Sequence, residues 1–145
     1  MIKTEKDYLE AKLRLEREYK TLEGHENKMK AAGLNQEQIK IAMDPLVTFT
    51  LQLREEVEEY EKLKRGQFDP VINLTGLGRT LIAVRIYKGM SQKQLADKLG
   101  VLEQQISRDE RNEYHGASLE KIQKVLNALD ITLKSKIEDD IRNVG

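Results

Sequence analysis

The chain has 145 residues, 25 basic and 25 acidic, so its formal charge is zero and no global basic field marks it for a polyanion. It has no cysteine, which excludes disulfide staples, thiolate metal sites and cysteine nucleophiles and fits a reducing compartment. The opening MIKTEKDYLE lacks the apolar stretch of a signal peptide and no run is long enough to span a bilayer, so the expectation is a soluble, cytoplasmic protein without a membrane partner.

Residues 1–66 are rich in lysine and glutamate, with sparse, regularly spaced apolar positions. Tyr8, Leu15, Leu22 and Met29 recur every seventh residue, and Tyr19 fills one intermediate position. The rhythm restarts after AAGLNQEQ, with Ile39, Leu46, Leu53 and Tyr60 on one track and Met43, Thr50 and Val57 on a second. A seam this narrow is what packed or coiled helices bury. Gly33 predicts a helix stop and Asn35 with Gln38 predicts the cap of the next helix. The short connection makes the pair an antiparallel hairpin of roughly 30 residues per arm. Pro45 removes a backbone donor, so either the second arm kinks and continues or it restarts with Asp44 as cap; the unbroken apolar phase favours continuation. A thin seam must be covered by something. Either it leans on the rest of its own chain, or a second copy covers it and the hairpin is a dimerisation or partner-binding element.

Residues 67–77 form the expected linker. The stretch KRGQFDPVINLTGLG holds three of the nine glycines and one of the two prolines, and the heptad track ends there.

Residues 78–132 change grammar to four or five short helices. GRTLIAVRIYKG is the first, closed by Gly89. Ser91 and Gln94 form a capping box at the start of QKQLADKLG. Small Ala96 permits close helix crossing, Gly100 permits a tight turn, and Leu95, Leu99, Val101 and Ile106 complete an apolar wedge. That is the pattern of a helix-turn-helix, presenting its second helix outward. SLEKIQKVLNALDI is a further amphipathic helix, with Leu119, Ile122, Leu126 and Leu129 on its core side.

From about Gly78 to Ile131 the residues MSQKQLADKLGV, QQISRDE and SLEKIQKVLNALDI together strongly resemble the Cro/C1-type (XRE, lambda-repressor-like) DNA-binding domain. The fold so implied is all-α, a long antiparallel helical hairpin followed by a four- to five-helix lambda-repressor-like domain, with room for one short C-terminal strand. The resemblance implies a homodimeric transcriptional regulator, a repressor in the first instance, on double-stranded DNA. Its alternative is an antitoxin-type or adaptor protein whose acidic hairpin, ending LREEVEEYEKLKRG, holds a toxin-like protein partner. It also implies a partly buried ion pair between Arg85 and Glu110.

The same resemblance places a recognition helix at about 102–110. Glu103, Gln104, Ser107 and Arg108 would face bases, Gln104 fitting adenine and Arg108 fitting guanine. Gln105 would sit at the edge of the contact, with Arg79, Ser91, Gln92, Lys93, Arg111 and Asn112 toward phosphates. Tyr114 and His115 would either reach a phosphate or pack their loop. The charge is the awkward feature: Ser91–Glu110 carries three basic residues against four acidic ones, although Gly76–His115 carries seven against five.

Residues 133–145 continue the alternation of Ile131, Leu133, Ser135 and Ile137, which fits a short strand, an extended tail, or a last helical turn in IEDDIRN. Asp139 and Asp140 have no third ligand in reach, so no metal site is expected. No enzyme and no cofactor are expected either. His25 and His115 lie in different halves, and TGLGRT lacks the preceding strand that would give a G-x-G meaning.

Overall fold

The computed structural model describes residues 1–139. Six helices follow one another: α1 (Glu5–Ala31), α2 (Gln36–Lys64), α3 (Leu77–Tyr87), α4 (Gln92–Leu99), α5 (Glu103–Arg111) and α6 (Leu119–Ala128). The protein is all-α, a helical hairpin followed by a helix-turn-helix domain.

Local chemistry sets the hairpin. Thr4 caps α1 by accepting from the Asp7 N–H, and Asn35 and Gln38 cap α2 reciprocally. Between them Gly33 adopts φ +85°, and the N–H groups of Gly33 and Leu34 donate to the carbonyls of Lys30 and Met29. That pair of bonds satisfies carbonyls that the end of α1 leaves open and reverses the chain. Pro45 lies inside α2 without ending it, so Asp44 does not cap a second helix.

The seam does not run evenly. On α2 the buried side chains are Ile39, Met43, Thr50, Val57, Tyr60 and Leu63, while Leu53 is half-buried and Leu46 is exposed. On α1 no residue is fully buried; Tyr8, Ala11, Leu15, Leu22 and Met29 are half-buried and Tyr19 is 43% exposed on the flank. Buried Thr50 donates its hydroxyl to the Leu46 carbonyl, so its polar atom is satisfied within its own helix.

The core sits at the root of the hairpin. Val57, Tyr60 and Leu63 of α2 join Leu81, Ile82, Ala83, Val84 and Ile86 of α3 and Leu95, Ala96, Ile106, Tyr114, Val125, Leu126 and Leu129 in one apolar cluster. Residues 81–86 are all buried, which makes α3 the central helix, wrapped by α2 on one side and α4–α6 on the other. Ile2, ahead of α1, is 8% exposed and belongs to the same cluster. Hairpin and head therefore share a core, and the stacked rings of Tyr8 and Tyr60 (centroids 4.7 Å apart) continue it into the hairpin.

The expected C-terminal strand does not form within the described residues: 131–139 carry no regular structure, and Ile137 is almost fully exposed. A strand needs a ladder, and the one β contact among the described residues is an isolated bridge between Ile72 and Thr75. The last-turn alternative in IEDDIRN, and Asp140, fall largely or wholly on residues 140–145, outside the described residues.

Candidate nucleic-acid interface

The turn between α4 and α5 follows from its residues. Ser91 and Gln94 close the capping box of α4, and Gly100 ends that helix at φ +68°. Leu95, Ala96 and Ile106 are at most 1% exposed and seal the angle between the two helices. α5 then starts after Leu102, whose side chain offers no cap, and the Gln105 N–H of its first turn donates to the Leu102 carbonyl. Its outward face carries Glu103, Gln104 and Arg108, all exposed, with Ser107 half-buried between them and Arg111 and Asn112 exposed beyond.

The inward face of α5 is held by one guanidinium. Arg85 Nε and Nη2 donate to the two Glu110 carboxylate oxygens at 2.5 and 2.8 Å, and both residues are essentially inaccessible to water (2% and 0% exposed). Arg85 Nη1 also donates to the Met90 carbonyl at 2.9 Å and Nη2 to the Lys3 carbonyl at 2.8 Å. Gln92 Nε2 donates to Glu110 Oε2 at 2.8 Å. A bidentate, fully hydrogen-bonded pair is the geometry in which two buried charges are tolerated. This network joins α3, the start of α4, α5 and the segment ahead of α1.

The acidic count of the helix-turn-helix loses its force once partners are assigned. Glu110 is neutralised by Arg85, and Asp109 meets Lys121 of α6 at 2.6 Å while accepting from Gln105. Asp97 pairs with Lys93 at 3.6 Å, and Glu113 lies 3.8 Å from both Arg79 and His115. Glu103 is the remaining acid on the outward face of α5. Among the described residues Gln104, Arg108 and Arg111 make no side-chain hydrogen bond or ion pair.

The other positions singled out in the sequence have contacts within the chain. Gln92 is half-buried, and its amide nitrogen donates to Glu110, tying the start of α4 to α5. Gln105 is half-buried against Asp109. Tyr114 is buried and packs the loop after α5, while His115 is exposed beside Glu113. Burial, then the charges of Glu110 and Asp109, hold the Tyr114 phenol well above its ordinary pKa. The loop is tight because Gly78 lies against it: a β-carbon at Gly78 would run into the Glu113 carbonyl.

Sequence reasoning missed the segment ahead of α1. Ile2 fills the core, and the Lys3 carbonyl accepts from Arg85 across 82 positions of sequence. The Thr4 cap seen in the structure marks a helix start there without indicating what the preceding residues touch.

Residues 81–135 match the family model described as helix-turn-helix. This part of the chain is a helix-turn-helix domain of the Cro/C1 type, a DNA-binding domain family, which supports a DNA-binding regulator. Comparison with curated proteins and with solved structures found no match. No helix among the described residues is long and apolar enough to cross a membrane.

Proposed function

We propose that the protein is a cytoplasmic, sequence-specific transcriptional regulator, a repressor, that binds an inverted-repeat operator as a homodimer with α5 in the major groove. The observation that carries this reading is the division of labour on α5. Its inward acids are bound to Arg85 and Lys121, while Gln104 and Arg108 stand outward, one helical turn apart and without intramolecular partners. Gln104 matches the paired donor and acceptor of adenine, and Arg108 those of guanine. Glu103 accepts from a cytosine amine, Ser107 lies between them, and Arg79, Lys93, Arg111, Asn112 and Ser91 meet phosphates.

Each good base pair contact is worth about 1–3 kcal/mol of discrimination. A single head is a modest binder, with seven basic against five acidic residues over Gly76–His115. Two copies on half-sites about 34 Å apart raise the overall affinity by linkage. The hairpin supplies the second copy: Leu9, Leu13, Tyr19, Ile41, Leu46, Phe49 and Leu51 are all exposed along it, more apolar surface than a solvated prop needs.

A second reading rests on the acidic run of α2. Glu55, Glu56 and Glu59 line a hollow beside Arg79, which suits a basic, toxin-like protein partner with or without autoregulation. The test of the first reading is the double variant Gln104→Ala, Arg108→Ala. Specific binding disappears while the far-ultraviolet circular dichroism spectrum and melting temperature stay at the wild-type values; an unaltered binding curve would sink the placement of α5.

A further inference from the structure

The hairpin root carries lysines that belong to no function so far described. A cleft of about 430 Å³ opens between residues 3–6, the end of α2 and the starts of α4 and α5; Lys3, Lys6 and Lys64 line it together with Ser91, Gln92 and Glu103. The last three are on the edge of the helix-turn-helix that faces a duplex, so the cleft is a continuation of that edge onto the hairpin. From this juxtaposition we infer that Lys3 and Lys6 contact the sugar–phosphate backbone of the same duplex that α5 reads. The hairpin root is thus a part of the DNA-binding surface. The inference rests on the reading of α5 given above and extends it.

Two features of the cleft support phosphate as its occupant. First, the segment is fixed. Ile2 is buried in the core and the Lys3 carbonyl is held by Arg85, the same guanidinium that holds Glu110 of the recognition helix. The position of Lys3 is therefore tied to the position of α5, as a backbone contact that sets register requires.

Second, the charges at the cleft are unevenly committed. Glu5 is taken by Lys64 at 2.5 Å and by the Tyr60 hydroxyl at 3.0 Å, which holds its carboxyl below the usual range, chiefly through the Lys64 hydrogen bond. Glu110 is taken by Arg85. Lys3 and Lys6 make no ion pair among the described residues, and Glu103 is the one uncommitted acid lining the cleft. Two free cations against one acid, flanking a base-reading helix, complement a phosphate strand.

The test uses full-length protein on the operator recovered by selection and on a duplex of unrelated sequence, with affinity followed across a salt series. Each phosphate neutralised contributes about 0.9 to the slope of log affinity against log salt. The variant Lys3→Gln, Lys6→Gln is expected to lower that slope by about 1.8 per head and to weaken both duplexes by the same factor, roughly ten- to a hundredfold at moderate salt. A matched variant, Lys20→Gln with Lys28→Gln, removes the same charge from the distal part of α1 and keeps the wild-type slope. Lys3→Arg with Lys6→Arg restores it, which separates charge from fold. A wild-type slope in the Lys3→Gln, Lys6→Gln protein overturns the assignment of these lysines and leaves the reading of α5 standing. Wild-type protein that is folded yet binds neither duplex overturns both.

Discussion

The two halves of this molecule use the same apolar residues to different effect. In the head, Leu81, Ile82, Leu95, Ile106, Val125 and Leu129 are at most 1% exposed, and residues 81–86 of α3 are all buried. Along the hairpin no side chain of α1 is fully buried, and Leu9, Leu13 and Ile41 face water. A helix can satisfy its own backbone in either setting. Its stability, however, comes from the apolar area its neighbours cover. The head is a folded scaffold able to hold a reading helix at a fixed angle. The hairpin beyond its root leaves apolar side chains such as Ile41 and Leu46 uncovered within the chain.

The largest difference should appear at the buried pair. Replacing Glu110 by Ala strands the Arg85 guanidinium among apolar neighbours and removes the acceptor of Gln92, a loss of about 3–5 kcal/mol. Urea unfolding followed by circular dichroism measures it. A loss below 1 kcal/mol, on the order seen for exposed pairs, would mean that water reaches the site.

Next comes the direct comparison of cores. Leu95→Ala in the head should cost about 2–5 kcal/mol, whereas Leu22→Ala in the distal seam should cost about 1 kcal/mol, because a half-buried side chain leaves little cavity. The two denaturation midpoints, at a protein concentration where the chain is monomeric, break the comparison if they coincide. If the Leu22 variant also lowers the dimer fraction in sedimentation, the arm is the second-copy contact.

Gly78→Ala tests the packing of α3 against the loop after α5. The added methyl meets the Glu113 carbonyl, so overpacking should cost about 1–3 kcal/mol. Thermal melting reads it, and a neutral result would show that the loop moves aside.

The smallest effect is the pH response at the junction of the two halves. Burial, then the neighbouring Glu5 carboxylate, pushes Tyr60 up to about 12 from an ordinary value of 10.0. A raised folded value means that the neutral phenol contributes stability that is fully present below pH 10 and lost as pH rises toward 12. Tyrosinate absorbance against pH should show two late-titrating groups in the wild type, Tyr60 and Tyr114, of which Tyr60→Phe loses one.

Much of this was legible in the chain itself. Heptad spacing and the Asn35–Gln38 and Ser91–Gln94 boxes mark the hairpin and α4, because capping and periodicity are local properties. The helix-turn-helix resemblance located Arg85 and Glu110, which no local rule would pair. What stayed hidden is long-range or breaks local rules. Lys121 neutralises Asp109 from another helix, and the Lys3 carbonyl reaches Arg85 from the far end of the chain. The chain after α5 and α6 turns at Glu113 and Asp130, non-glycine residues with positive φ that carry no glycine signal. The alternation at 131–137 pointed to a strand, but alternation describes one edge and cannot supply the other.

The most direct test of the central claim is selection of bound sequences from a random duplex pool by the wild-type protein at moderate salt. The expected result is an inverted repeat whose half-sites are centred about one helical turn apart, with guanine and adenine at the positions lost when Arg108 and Gln104 are replaced. Folded protein that enriches no motif would contradict it.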